Sequence, residues 1–310
     1  MDTTTVSSRD GIPTYHERPA IKSSLYGWTV ALYIFVGGLA AGLQIVVTAA
    51  ELVAAPDSAT AVLIGRGIAL AGAVLGGVLL ILDLHTKQRF YNMLRIFRPT
   101  SPMSIGTYAL MGFGFWSLVA FCTQLFGLPL VGLICGCLAA ATGWWMTTYT
   151  AALLSATATP LWAVAPKLLA VRFAASAMST GAATATLIAL GAAPALVLAF
   201  GDLAALALLI ELIASIGATV IRRRRGVNGP LQDATWGPAY IVGVLMFGLC
   251  APLVLYALAN FYAGPAQAMA IAASVCVLAG GLLMRGVILL AGNDSAKRPR
   301  DYFRFAAGAT

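Results

Sequence analysis

The sequence predicts an all-α integral membrane protein with eight transmembrane helices, and three observations carry that prediction. Hydrophobic residues make up 60% of the 310-residue chain and charged residues 10%, where ordinary soluble domains are about a quarter charged. Apolar runs long enough to cross a bilayer, about 20 residues each, recur along the chain. The alternating strands of about ten residues that mark a membrane barrel do not occur.

The spans fall at about 27–53, 58–84, 104–126, 128–154, 168–192, 194–221, 235–262 and 265–291. The shortest connections are "FGLPL" (126–130), "GAAPAL" (191–196) and "YAGPAQ" (262–267). Each sets a proline and a nearby glycine between apolar runs that together are too long for one span. Residues 1–26 form a polar tail and 292–310 a basic one. The first apolar segment is too long for the core of a cleaved signal, so the first helix is expected to stay in the protein.

Basic residues lie almost entirely at one end of the helices. Three are in the amino-terminal tail (Arg9, Arg18, Lys22), four in the 85–103 loop (Lys87, Arg89, Arg95, Arg98), two around the fourth connection (Lys167, Arg172), four in Arg222 to Arg225 and four in the carboxy-terminal tail (Lys297, Arg298, Arg300, Arg304). That is 17 of 19; Arg66 and Arg285 lie within helices. Short basic connections face the cytoplasm, so both termini are expected there. The net charge of +8 is then a topology signal and does not argue for nucleic-acid binding.

Several chemistries are missing from the sequence. The five cysteines (Cys122, Cys135, Cys137, Cys250, Cys276) all fall in helices, and Cys135 and Cys137 lack the further partners that zinc or an iron–sulfur cluster needs. The two histidines, His16 and His85, lie in the tail and at a helix end, so no helix offers the paired mid-span ligands of a membrane haem. A phosphate-binding loop and a dinucleotide fingerprint are also absent. If the protein takes part in electron transfer, its redox metals are expected in another subunit.

Ionisable groups at bilayer depth are costly and point to function. Tyr33, Gln44 and Glu51 are separated by 11 and 7 residues. At about 100° per residue they lie within about 20° of one line along the first helix, either a functional face or a wet one packed on neighbours. Helix six carries Asp202 and Glu211 on opposite faces, with Glu211 near the middle of the span. Arg285 and Arg66 compete with a reading in which each reaches for the nearer interface. Tyr149 follows Trp145 by one helical turn and is either an interfacial anchor or a ligand group. Tyr33, Asp83, Arg89, Tyr149 and Arg285 share one depth near the basic face. A phenol, a carboxylate and guanidinium groups at that depth suit a quinone head group, whose carbonyls they would hydrogen-bond and with which they would exchange protons.

Four segments resemble the NrfD/PsrC family, the membrane subunits of polysulfide-reductase-like complexes. They are "TYHERPAIKSSLYGWTVALYIFVGGLAAG" (14–42), "RFYNMLRIFRPTSPMSIGTYAL" (89–110), "YTAALLSATATPLW" (149–162) and "GLLMRGVILLAG" (281–292). The resemblance implies two four-helix bundles, 27–154 and 155–291, with no metal bound in this chain. It also implies a quinone (menaquinone or ubiquinone), a ferredoxin-like iron–sulfur partner subunit and a molybdopterin-type catalytic subunit. Tyr149 stands where the family's quinone-contacting tyrosine stands. Family members of the polysulfide-reductase type carry an Asn and a His early in the first helix, where this chain has Val30 and Tyr33. Tyr33 can supply one hydrogen bond and Val30 none; His16 and Glu17 are the tail's candidates to substitute. His85 replaces a small residue that relatives follow with Arg-Pro.

The expected function is thus a quinone-binding anchor of an oxidoreductase complex in a bacterial cytoplasmic membrane. Tyr149, Tyr33, Asp83, His85, Arg89, His16 and Arg285 would shape the head-group site. Arg95 and Arg98 would dock the iron–sulfur subunit or steady negative charge on the quinone, with Pro99 and Pro102 stiffening the turn between them and the third helix. Glu211, Asp202 and Glu51 would carry protons toward the far side. Two rival readings stand beside it, a secondary transporter and a structural anchor whose quinone site has been lost.

Overall fold

A computed structural model describes residues 26–53, 55–83, 95, 98, 101–262 and 264–307, and no strand occurs among them. Eight helices are long and apolar enough to cross a membrane. They are α1 (Trp28–Val53), α2 (Ala55–Asp83), α3 (Pro102–Leu125), α4 (Pro129–Ser155), α5 (Pro166–Ala192), α6 (Val197–Arg224), α7 (Ala239–Phe261) and α8 (Ala266–Ala296), followed by a short amphipathic α9 (Pro299–Ala307).

Local chemistry sets the ends. Pro102, Pro129 and Pro166 open α3, α4 and α5, where a missing N–H leaves no hydrogen bond unmade. Gly127, with φ of +70°, turns the chain between α3 and α4, as a left-handed residue past a helix end does. Two elements differ from expectation. The first twelve residues of α7, Ala239–Cys250, are wound as a π-helix that reverts to α-helix at Ala251; Pro252, just past the junction, has no N–H to give to the preceding turn. The last span, α8, runs five residues beyond the expected 291 because its polar final turns are held. Asn293 Nδ2 donates to the Tyr26 carbonyl at 2.7 Å, and Asp294 accepts from Trp236 Nε1 at 2.7 Å.

Two spans lie innermost. In their most apolar windows α1 is 67% buried and α5 72%, α8 is 61%, and the other five fall between 28% and 39%. Within the first four helices α1 packs on α2 and α4, and α3 on α2 and α4; within the second four α5 packs on α6 and α8, and α7 on α6 and α8. The helix α1 also packs against α5 and α8, and α4 against α5. Small residues permit the α1–α5 contact: a methyl group on Gly42 would collide with the Ala177 carbonyl, and one on Gly181 with the Gly42 backbone. Close backbone approach at small residues four apart is a general device of membrane helices. At the basic end, the buried Trp162 of the α4–α5 connection donates Nε1 to the Ile288 carbonyl at 2.9 Å. It sits where Gly292 has no side chain.

Candidate functional site

A cavity lies where α1, α4, α5 and α8 meet in the basic half of the fold, closed on one side by α2 and α3, with the mostly apolar lining and few convergent polar groups that small-molecule sites show. Its polar lining comes from Tyr33, Thr147, Tyr149, Thr150 and Arg285; Ile34, Leu80, Leu110, Met146 and Phe173 supply apolar walls. The Tyr33 and Tyr149 phenols are within hydrogen-bonding reach of each other. Glycines make the room. The Tyr149 ring packs on Gly106 so closely that any side chain there would overlap it, and a methyl group on Gly38 would lie 2.8 Å from Arg285 Nη2.

Arg285 does not reach for the interface. It is 1% exposed, its Nη1 donates to Ser176 Oγ at 3.1 Å and to the Gly281 carbonyl at 2.9 Å, and its guanidinium lies over the Phe35 and Phe173 rings. Behind it stands Glu211, buried, with Ser176 and Ser179 as hydrogen-bond partners and Arg172 and Arg285 as its charged neighbours. Arg172, fully buried, lies over the Tyr240 ring with its guanidinium carbon 5.4 Å from the centroid. Arg222, also buried, donates Nε to the Leu161 carbonyl at 3.2 Å. One continuous set of polar groups therefore runs from the cavity wall through Glu211 to the basic end of the fold.

A second buried cluster lies at the opposite end, among α1 to α4. Arg66, with a fully buried side chain, pairs with Glu51 at 2.5 Å and donates to Gln124 Oε1 at 2.6 Å and to the Gly132 carbonyl at 3.0 Å. Gly132 and Gly136 leave space for its guanidinium. Below it, Gln44 donates to Thr48 at 3.1 Å and Thr48 to the Gly136 carbonyl at 3.4 Å.

The residues singled out from the sequence thus separate. Tyr33, Tyr149 and Arg285 converge on one cavity. Asp83, exposed at the end of α2, lies near Tyr26 and Tyr33; burial and the Asp83 carboxylate push the Tyr26 phenol up. Trp145, sharing a helix face with Tyr149, is 56% exposed while Tyr149 turns inward. Glu211 joins the cavity through Arg285. Asp202 does not meet it: it is exposed and accepts from Asn260 Nδ2 at 2.7 Å. Glu51 belongs to the Arg66 cluster. Arg95 and Arg98 are exposed, and His16, Glu17, His85 and Arg89 lie outside the described residues. Arg172 and Arg222, counted from sequence among the loop charges, are buried functional-site neighbours instead. The spacing of Arg172, Ser176 and Ser179, four and then three residues apart, is the helical stripe that could have exposed them.

The donor set suits a quinone head group: two phenols and a guanidinium set among apolar walls. Among the described residues no cluster of His, Cys, Asp or Glu could hold a metal ion. Comparison with curated proteins gives no match. A family model described as polysulphide reductase, NrfD, matches residues 18–294. Members of that family are generally membrane subunits of quinone-linked oxidoreductases. With most of the chain matched, seven spans in full and the eighth to within two residues of its end, this protein belongs to the NrfD family.

Proposed function

We propose that this chain is the quinone-binding membrane subunit of a multi-subunit oxidoreductase, and that the quinone head group sits in the Tyr33–Tyr149–Arg285 cavity. The observation that carries the reading is the convergence of those three side chains, from three different helices, on one largely apolar cavity near the basic face. When bound, a quinone supplies two-electron, two-proton redox chemistry. Tyr149 and Tyr33 donate hydrogen bonds to its carbonyl oxygens, and Arg285 holds a positive charge at the rim, where negative charge on the ring is favoured. Glu211, one serine away from Arg285, is a buried carboxyl group placed to exchange a proton with the site.

In this reading electrons reach or leave the cavity through a partner. That partner is an iron–sulfur subunit docked on the basic face near Arg95 and Arg98, itself served by a molybdopterin-type catalytic subunit. The membrane is the bacterial cytoplasmic membrane, with both termini on its cytoplasmic side. The test is gentle extraction of the native complex, identification of co-purifying subunits by mass spectrometry, and assay of quinone and iron in the same sample. One quinone per chain together with an iron–sulfur subunit is expected. A chain that purifies alone, without quinone, under several mild detergents would overturn the proposal.

A further inference from the structure

We propose that Glu211 exchanges its proton with the basic face of the membrane, along Ser215, Thr219, Arg172, Tyr240 and Arg222, and not with the opposite face. The inference rests on the quinone reading only in giving that proton a use; the asymmetry that carries it stands without one. Thirteen residues separate Glu211 from the basic end of α6 at Arg224 and fourteen from its start at Val197. At 1.5 Å per residue it lies about 20 Å from either end, so depth alone does not choose a side.

The surroundings do. Toward the basic face the α6 stripe reads Glu211, Ser215, Thr219, Arg222, at steps of four, four and three residues. Ser215 and Arg222 are buried on it, and Thr219 Oγ1 lies 3.3 Å from the Tyr240 hydroxyl. From α5, Arg172, Ser176 and Ser179 face the carboxyl group, and from α8, Arg285. From α7, Tyr240 sits against Arg172 and Arg222. Toward the opposite face the same stripe reads Leu208, Ala204, Phe200 and Val197, all buried. They pack with Leu43, Val46, Val47 and the α5 alanines. Buried polar groups on that side are Thr186, two helical turns beyond Ser179 with Ala182, Ala183 and Ala185 between, and the Tyr256–Ser274 pair, whose hydroxyls are 2.9 Å apart. Asp202, the one carboxylate of α6 in that direction, is exposed.

Around Glu211 the unpaired donors lie on the polar side too. Arg172 and Arg222 share the Tyr240 hydroxyl as a hydrogen-bond partner, which leaves most of their buried guanidinium nitrogens without an acceptor, an uncommon condition that asks for a reason. Transient service to a passing proton carrier supplies one. In the exchange, the carboxyl O–H of Glu211 breaks, the carboxylate stays between Arg172 and Arg285, and the proton passes to water at the basic face. Reloading is the reverse.

The full-length chain, reconstituted in liposomes with the basic face outward, tests this by infrared difference spectroscopy after a pH step applied to one face at a time. The signal is the carboxyl band that Glu211→Gln removes, and it needs no bound quinone, so failure of the quinone reading would not disturb it. The band is expected to follow steps at the basic face, to ignore steps at the other, and to respond at least tenfold more slowly in Arg172→Gln. Tyr240→Phe, which keeps the ring against Arg172, is expected to slow it less. A band that follows the opposite face and disappears in Asp202→Asn would overturn the proposal, and so would the absence of any Glu211-dependent change with pH at either face.

Discussion

The two buried polar clusters use the same residue types to opposite ends. At the far face one arginine meets one carboxylate, and Gln124 and a backbone carbonyl take further donors, so that Arg66 and Glu51 form a nearly closed set across α1 to α4. In the basic half, one carboxylate, Glu211, has two buried arginines as neighbours, Arg172 and Arg285, with a third, Arg222, beyond Arg172, and several of their nitrogens have no acceptor. A closed pair fastens helices. An open, positively charged one is left free to serve something else, which under the proposed function is a quinone ring in the adjoining cavity and a mobile proton. Of the two, only the open cluster touches the cavity.

The largest effect should come from opening the closed cluster. Arg66→Ala leaves Glu51 and Gln124 without their partner at bilayer depth and is expected to cost about 3–5 kcal/mol, read as a large drop in the midpoint of thermal unfolding in detergent. Quinone content per folded chain should not change. The double variant Arg66→Met with Glu51→Leu removes both charges and should recover most of that loss, because the pair acts as a fastener and not as chemistry. If the single variant unfolds normally, Arg66 is not a fastener and the contrast fails.

Within the cavity the expected effects are on binding. Tyr149→Phe removes one hydroxyl from a site whose shape is set by Gly106 and the ring itself. Loss of a hydrogen bond worth about 0.5–1.5 kcal/mol should weaken quinone binding roughly 2- to 12-fold, with thermal stability unchanged. An anchor without a working site would not register the change. The smallest effect is expected from Thr48→Val, which breaks the long 3.4 Å bond to the Gly136 carbonyl and strips Gln44 of its acceptor. It should cost about 1 kcal/mol of stability or less and leave quinone affinity alone.

Much of this was legible in the sequence, and the reason differs from element to element. The spans follow from apolar length, and the tight turns from Gly127, Pro129, Pro194 and Pro265, so all eight could be placed. Tyr33, Tyr149 and Arg285 could be grouped because depth along a helix is a one-dimensional quantity that a sequence records. Azimuth between helices is not. Whether Arg285 reaches lipid or protein depends on Gly38 and Ser176, far away in sequence. Arg172 and Arg222 were hidden because an arginine near a helix end looks the same whether it points to water or folds back into the bundle. Asp202 was joined to Glu211 by shared helix and declining depth, and only the packing shows one exposed and the other enclosed.

The central claim is that the quinone head group occupies the Tyr33–Tyr149–Arg285 cavity. It is tested most directly with a photoreactive, short-tailed quinone, crosslinked to the full-length chain in liposomes, competed with unlabelled quinone, and mapped by mass spectrometry. Competable label on α1 near Tyr33 and on α4 near Tyr149 is the predicted result. Label confined to the apolar groove between α4, α5 and α6, at Trp144, Val171 and Leu206, would contradict it.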